Sequence, residues 1–313
     1  MGFITILIAL LVEQYYKKAE DYRHFDWFSR YCDWLKPRSA AIVDMFPSVA
    51  GPLKLLVLLI PVLLAVVIVN GVLADLGGFF SFIFGLIVLV YSIGPRDINN
   101  QVQKYLDALA AKDDEAALLY ANQFFAGHHY EPEIEGKPGL IASIMQRGIL
   151  LAFSNRVLAV VFWFIVLGPL GALLYRFTTL LLERFGGGYF GREEDSESED
   201  SELVSAIQRL YMILGWVPAR LSVIIFALAG SFSDTLLCWN CATDFFDKNN
   251  DELIVNSGLH ALKMETEPSQ EEIQAEGNEE EHASNVEQVL ALVKWSTVIL
   301  VTVIALMTIV GWF

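Results

Sequence analysis

Residues 53–93 read LKLLVLLIPVLLAVVIVNGVLADLGGFFSFIFGLIVLVYSI, and their only charges are Lys54 and Asp75. The first part, 53–74, exceeds the roughly 20 apolar residues that an α-helix needs to cross a bilayer. Pro61 falls inside it, which neighbouring helices can accommodate by satisfying the freed carbonyl. LADLGG then reads as a tight turn, and 79–93 is apolar again though slightly short. The segment predicts a helical hairpin in a membrane.

Composition agrees. The 313 residues are 55% hydrophobic, with a mean hydropathy of +0.47, yet the formal charge is −16. The carboxylates stand in a few blocks apart from the apolar runs, the pattern of a membrane protein with acidic extramembrane segments. Such a charge excludes nucleic acid as a partner, because phosphate binding needs clustered Lys and Arg. Three cysteines in this length exclude a disulfide scaffold.

Two further stretches, 149–176 and 294–313, are strong membrane segments, the latter with Trp295 and Trp312 at aromatic-belt depths. Residues 3–12 are short unless the helix continues through Glu13. Residues 210–230 are long enough but interrupted at Pro218. Four to six crossings follow. The start, MGFITILIALLVEQYYKK, lacks a positive n-region and a cleavage site, so the first helix is expected to be retained. Seven Lys and Arg in 13–54, none in 70–78 and five in 94–148 place the first and third connections on the cytoplasmic side.

Residues 94–148 form a cytoplasmic loop with two amphipathic helices. Val102, Tyr105, Leu106 and Leu109 share one stripe. Ala116, Leu119, Tyr120 and Phe124 form a second, with Asp113 or Asp114 as the N-cap. The runs 192–202 and 264–284 are rich in Glu and Ser and have no aromatic residue, which reads as disordered acidic linkers. A docking role for a basic partner is the alternative. The expected whole is an all-α polytopic membrane domain over 1–313, interrupted at Pro218, with small cytoplasmic helices.

Cys238-Trp-Asn-Cys241 is a CxxC without a βαβ context or spaced histidines, so neither redox chemistry nor a metal is expected. FGGGYFG (185–191) lacks the GK[ST] of a phosphate loop and reads as a flexible helix exit. No catalytic triad or metalloprotease signature occurs, and no cofactor is expected. The chemistry-bearing residues are the ionisable groups at membrane depth: Glu13, Arg156, Arg176 and Arg220, beside the helix break at Trp216 and Pro218. A charge in hydrocarbon costs at least about 2.5 kcal/mol and needs a partner. Arg176 could snorkel to the headgroups. Arg220 is expected to serve carbonyls freed by Pro218 or a buried carboxylate, with Glu13 as the candidate.

GWVPARLSVIIFALAG (215–230) resembles the WxPARL segment shared by AmpE proteins and the CobD/CbiB cobinamide-phosphate synthases. VLAVVFWFIVLGPLGALLYR (157–176) resembles the AmpE form of that superfamily's second signature. YLDALAAKDDEAALLYANQFF (105–125) is similar to the helical pair of the AmpE cytoplasmic loop. The resemblance covers most of the chain. It implies a bacterial inner-membrane signalling protein, associated with the AmpD amidase and β-lactamase induction. The synthase branch would imply ATP-dependent amide formation. At positions polar in the synthases this chain carries Leu151, Ala152, Asn155, Arg176, Thr179 and Leu182, so the enzymatic reading is disfavoured. Three functions remain open: a regulator that meets a protein partner or a cell-wall-derived ligand, a condensing enzyme, and a small-molecule carrier. The apolar segments require the lipid bilayer as a partner.

Overall fold

The structure is a computed structural model, and it describes residues 2–15, 26–43, 50–94, 98–125, 138–185, 201–241, 250–264 and 279–310. Every regular element among them is a helix. Five are long and apolar enough to cross a membrane: Ala50–Leu76, the stretch from Gly78, Gly139–Leu167, Ser201–Ala229 and Glu280–Ile309. The chain is thus an all-α, multi-pass membrane protein. The segment around Pro218 is among the five, and the interruption expected there is absent: Ser201–Ala229 is one continuous helix with Pro218 inside it. The first helix, Gly2–Tyr15, is too short.

The contacts divide the chain into two compact units, 1–95 with 159–214 and 96–158 with 215–313. In the first, α1 (Gly2–Tyr15) packs on α4 (Gly78–Ile93), and α2 (Asp26–Val43) on α3 (Ala50–Leu76). Gly77, at φ 137, joins α3 to α4 and makes the expected hairpin. Ser81 closes it by donating to Asn70 Oδ1 across 3.3 Å. Leu56, Ile60, Leu64, Ile68 and Val72 leave one face of α3 exposed, the face that meets lipid acyl chains.

The apolar run 149–176, read above as one stretch, is broken. Helix α8 (Ala159–Leu167) ends where the Gly168 N–H closes on the Phe164 carbonyl at 2.9 Å, with Gly168 at φ 66. Pro169 then opens α9 (Pro169–Phe185), the position where its missing N–H costs nothing. Hydropathy continues across the Gly-Pro pair, so the run conceals the turn. Helices α8 and α9 pack closely at Gly171, where a Cβ would come within 2.3 Å of the Trp163 carbonyl oxygen.

In the second unit, α5 (Ile98–Ala110) and α6 (Asp114–Phe125) form the expected helical pair, and α5 buries Val102, Tyr105, Leu106 and Leu109 as read. Asp113 caps α6 by accepting the Ala116 N–H at 3.0 Å. The α6 stripe differs from expectation: Ala117, Ala121, Phe124 and Phe125 are buried and Leu119 is 54% exposed. Small alanines at the seam allow close approach, and the two phenylalanines sit against Gly148 of α7 (Pro138–Ala152). Helix α13 (Glu279–Ile309) packs on α5 and α7 and ends in an exposed apolar surface that includes Val298, Leu306 and Ile309.

Of the acidic runs, 192–200 and 265–278 lie outside the described residues. Ser201 and Glu202 open α10 (Ser201–Ala229), and Glu279–Ser284 form the first turns of α13. Acidic residues suit both positions, since carboxylates favour a helix N-terminus.

Candidate functional site

Pro218 sits inside α10 and cannot donate to the carbonyl four residues back, that of Leu214. That acceptor is not left bare. The Trp163 indole of α8 donates to it at 3.0 Å. The freed carbonyl thus belongs to Trp163, where the sequence had suggested Arg220.

Arg220 does take a carbonyl, that of Trp216, at 3.1 Å. The same Nη1 donates to Asn250 Oδ1 at 2.9 Å, and the guanidinium lies 4.4 Å from the Trp216 ring centroid. Both groups are half-buried, and a cation over an indole face at such a site contributes about 0.5–1 kcal/mol. Arg220 is therefore held by a ring, a carbonyl and an amide. Its side-chain hydrogen-bond partner among the described residues is the neutral amide of Asn250. Glu13 lies in the last turn of α1, and its side chain is outside the described residues. Gly215 leaves room for this arrangement, since a Cβ there would stand 3.2 Å from Asn250 Nδ2.

Asn250 opens α12 (Asn250–Ala261), and both it and Asp251 are buried. Helix α12 packs on α7, with Gly258 against Leu150. Beyond α7 the helix widens into a π-helical turn, Phe153–Leu158, that holds Ser154, Asn155 and Arg156. Such turns recur at functional sites because they carry one extra residue per turn. Consecutive residues of a helical turn project in widely separated directions, so burying all three requires protein on several sides. Here each is at most 4% exposed.

The Ser154 and Ser222 hydroxyls are 2.9 Å apart, and Ser222 Oγ lies 3.1 Å from the Pro218 carbonyl. A carbonyl only accepts, so Ser222 donates to Pro218 and Ser154 donates to Ser222. Phe153 and Phe226, on the same two helices, have ring centroids 5.9 Å apart. Within this unit Arg220 is linked to Trp216 and Asn250, and Pro218 to Ser222 and Ser154. Arg156 and Asp251 are buried near Ser154 and Asn250 in sequence, which adds Ser154, Ser222, Asn250 and Asp251 to the residues selected. Sequence reasoning missed those four. The one local signal is Ser222, four residues after Pro218 and hence on its face.

Arg176 belongs to the other unit, on α9. It does not reach for an exposed position: its side chain is buried, 4.0 Å from the equally buried Glu183 Oε1. Thr179 lies between them, accepting from Arg176 Nη1 at 3.5 Å and donating to the Arg176 carbonyl at 2.8 Å. Glu183 was not selected from the sequence. Its spacing of seven from Arg176 puts both on one helical face. Beside this cluster α2 supplies Phe28, stacked on Phe177 at 4.6 Å, Asp33, which pairs with Arg184, and the buried Cys32. Burial, the largest influence, pushes the Cys32 thiol up to about 11.

Among the described residues no group of three His, Cys, Asp or Glu side chains could hold a metal. Cys238 and Cys241 are in α11 (Phe232–Cys241), with side chains outside the described residues, and 186–191 also fall outside.

Two curated proteins resemble parts of the chain, both named Cobalamin biosynthesis protein CobD. The one from Stutzerimonas stutzeri (strain A1501) is 30% identical over 132 residues, 39% of this chain and 38% of its own length. The one from Chromobacterium violaceum is 25% identical over 176 residues, 56% of this chain and 52% of its own length. The chain thus spans about half or less of these relatives. No solved structure matches it. The family described as Regulatory signalling modulator protein AmpE matches residues 1–313. By that match over its full length the chain belongs to the AmpE family.

Proposed function

We propose that this membrane regulatory protein resides in the bacterial inner membrane and modulates β-lactamase induction by sensing an anionic, cell-wall-derived ligand at Arg220. The observation that carries this reading is the guanidinium itself. Nη1 is committed to Asn250 and the Trp216 carbonyl, and no described residue engages Nη2 or Nε. A planar fork held at one nitrogen and available at the others suits bidentate recognition of a carboxylate. The family match supports regulation as the role, and the charge distribution supports α5 and α6 facing the cytoplasm.

Turnover is not expected. Leu151, Ala152 and Leu182 are buried apolar side chains at positions where an amide-forming site needs groups for ATP and carboxylate. The similarity to two proteins named CobD favours ATP-dependent condensation as a second reading. Mass spectrometry of ligands that co-purify with the detergent-solubilised protein separates the two. A carboxylate-bearing muropeptide supports the regulator. A corrinoid or nucleotide, with ATP hydrolysis by the purified protein, would replace it with the synthase.

A further inference from the structure

Helix α2 is fastened to the first unit along one side. Phe28 and Cys32 are buried, and Phe28 stacks on Phe177 of α9. Tyr31 donates to the Leu58 carbonyl of α3 at 3.2 Å, and the Trp27 indole donates to the Tyr91 hydroxyl of α4 at 2.6 Å. The opposite side carries Trp27 and Trp34, 43% and 54% exposed, with Arg30 exposed between them. Spacings of three and four residues put these three side chains on one helical face.

The bond to Leu58 fixes how deep that face lies. From Leu58 to Leu76, at the tip of the hairpin, α3 rises about 27 Å. The hydrocarbon core of a bilayer is about 30 Å thick. Within that length Asn70 and Asp75 are the only polar side chains, and Lys54 stands one turn beyond Leu58. Helix α2 is therefore fastened at the boundary between hydrocarbon and headgroups, the depth at which tryptophan is enriched. The flanking Leu56 and Ile60 belong to the exposed, lipid-facing side of α3, so lipid already surrounds this contact.

Charge selects the lipid. Arg30 makes no hydrogen bond or ion pair among the described residues, and Asp33, the acid nearest it in sequence, is paired with Arg184. A guanidinium at headgroup depth matches a phosphate through its planar fork. We propose that the Trp27, Arg30 and Trp34 face of α2 binds the headgroup of an anionic phospholipid. Arg30 takes the phosphate, and the two indoles rest against the upper acyl chains. A zwitterionic lipid offers the same phosphate with its own ammonium beside it, which repels Arg30. This proposal does not depend on the ligand of Arg220.

The test uses the full chain in vesicles of equal parts phosphatidylglycerol and phosphatidylcholine, with brominated acyl chains on one lipid or the other. Bromine quenches an indole on contact, and the difference between wild type and Trp34→Phe isolates Trp34. Brominated phosphatidylglycerol is expected to quench Trp34 more strongly. The preference should be roughly 5-fold, the gain of one basic side chain at an anionic surface. Arg30→Gln should make the two lipids equal and leave helical content unchanged, since Arg30 is exposed. Equal quenching by both lipids in the wild type, or a preference that survives Arg30→Gln, would overturn the proposal. Shielding of Trp34 from both brominated lipids would overturn it too, assigning the face to protein or to water.

Discussion

The indole of Trp163 donates to the carbonyl of Leu214, the acceptor that Pro218 leaves without its helical donor. A proline inside a membrane helix is tolerated when another group restores the lost bond, and here that group is a side chain 51 residues earlier. Trp163→Phe should therefore destabilise the protein by about 1–3 kcal/mol, the cost of an unsatisfied buried carbonyl. In the Pro218→Ala background the backbone N–H is restored, so the same change should cost clearly less. Thermal unfolding of the four proteins of this cycle in detergent gives the answer. Additive effects would mean that the indole serves some purpose other than the freed carbonyl.

Gly171 and Gly215 are both closely approached, but by different atoms. A Cβ on Gly171 would meet backbone, the Trp163 carbonyl oxygen at 2.3 Å, whereas one on Gly215 would meet the Asn250 side-chain amide at 3.2 Å. Backbone cannot yield without moving a helix. Gly171→Ala is expected to cost about 1–3 kcal/mol, and Gly215→Ala less. Equal losses in a thermal-stability assay would contradict close packing of α8 on α9.

Cys32 is buried on α2, and its thiol is raised from 9.0 to about 11 chiefly by burial. The thiolate is the reactive form, so iodoacetamide should label Cys32 slowly near pH 8 and faster only as the pH approaches about 11. Denaturation should bring the labelling profile back towards 9.0. Peptide-resolved mass spectrometry distinguishes Cys32 from Cys238 and Cys241. Rapid labelling of the folded protein at pH 8 would contradict its burial.

The fold was legible where one signal dominates locally. The run 53–93 is apolar, long and punctuated by glycines, so its hairpin could be read directly. The turn at Gly168 and Pro169 was hidden because apolar residues continue on both sides. The α6 stripe was misplaced by one residue because Ala116 and Ala117 differ in burial without differing in type. At the site, Pro218 and Arg220 announce themselves by their cost in an apolar helix. Their partners do not. Trp163 and Asn250 lie 51 and 30 residues from the groups they bond, and nothing local marks a tryptophan or asparagine as a partner. Glu183 is hidden in a different way, since on an amphipathic helix a lone acid ordinarily reads as solvated.

The most direct measurement is the affinity of a carboxylate-bearing wall fragment, muramyl dipeptide, for the protein in nanodiscs, with and without Arg220. Hydrogen bonds to a charged group are worth about 1.5–3 kcal/mol, or roughly a 10- to 150-fold change in affinity. Arg220→Met should weaken binding by that factor, and Arg220→Lys by less, while both variants keep their helical content. Equal affinity for wild type and Arg220→Met would contradict recognition of the ligand at Arg220.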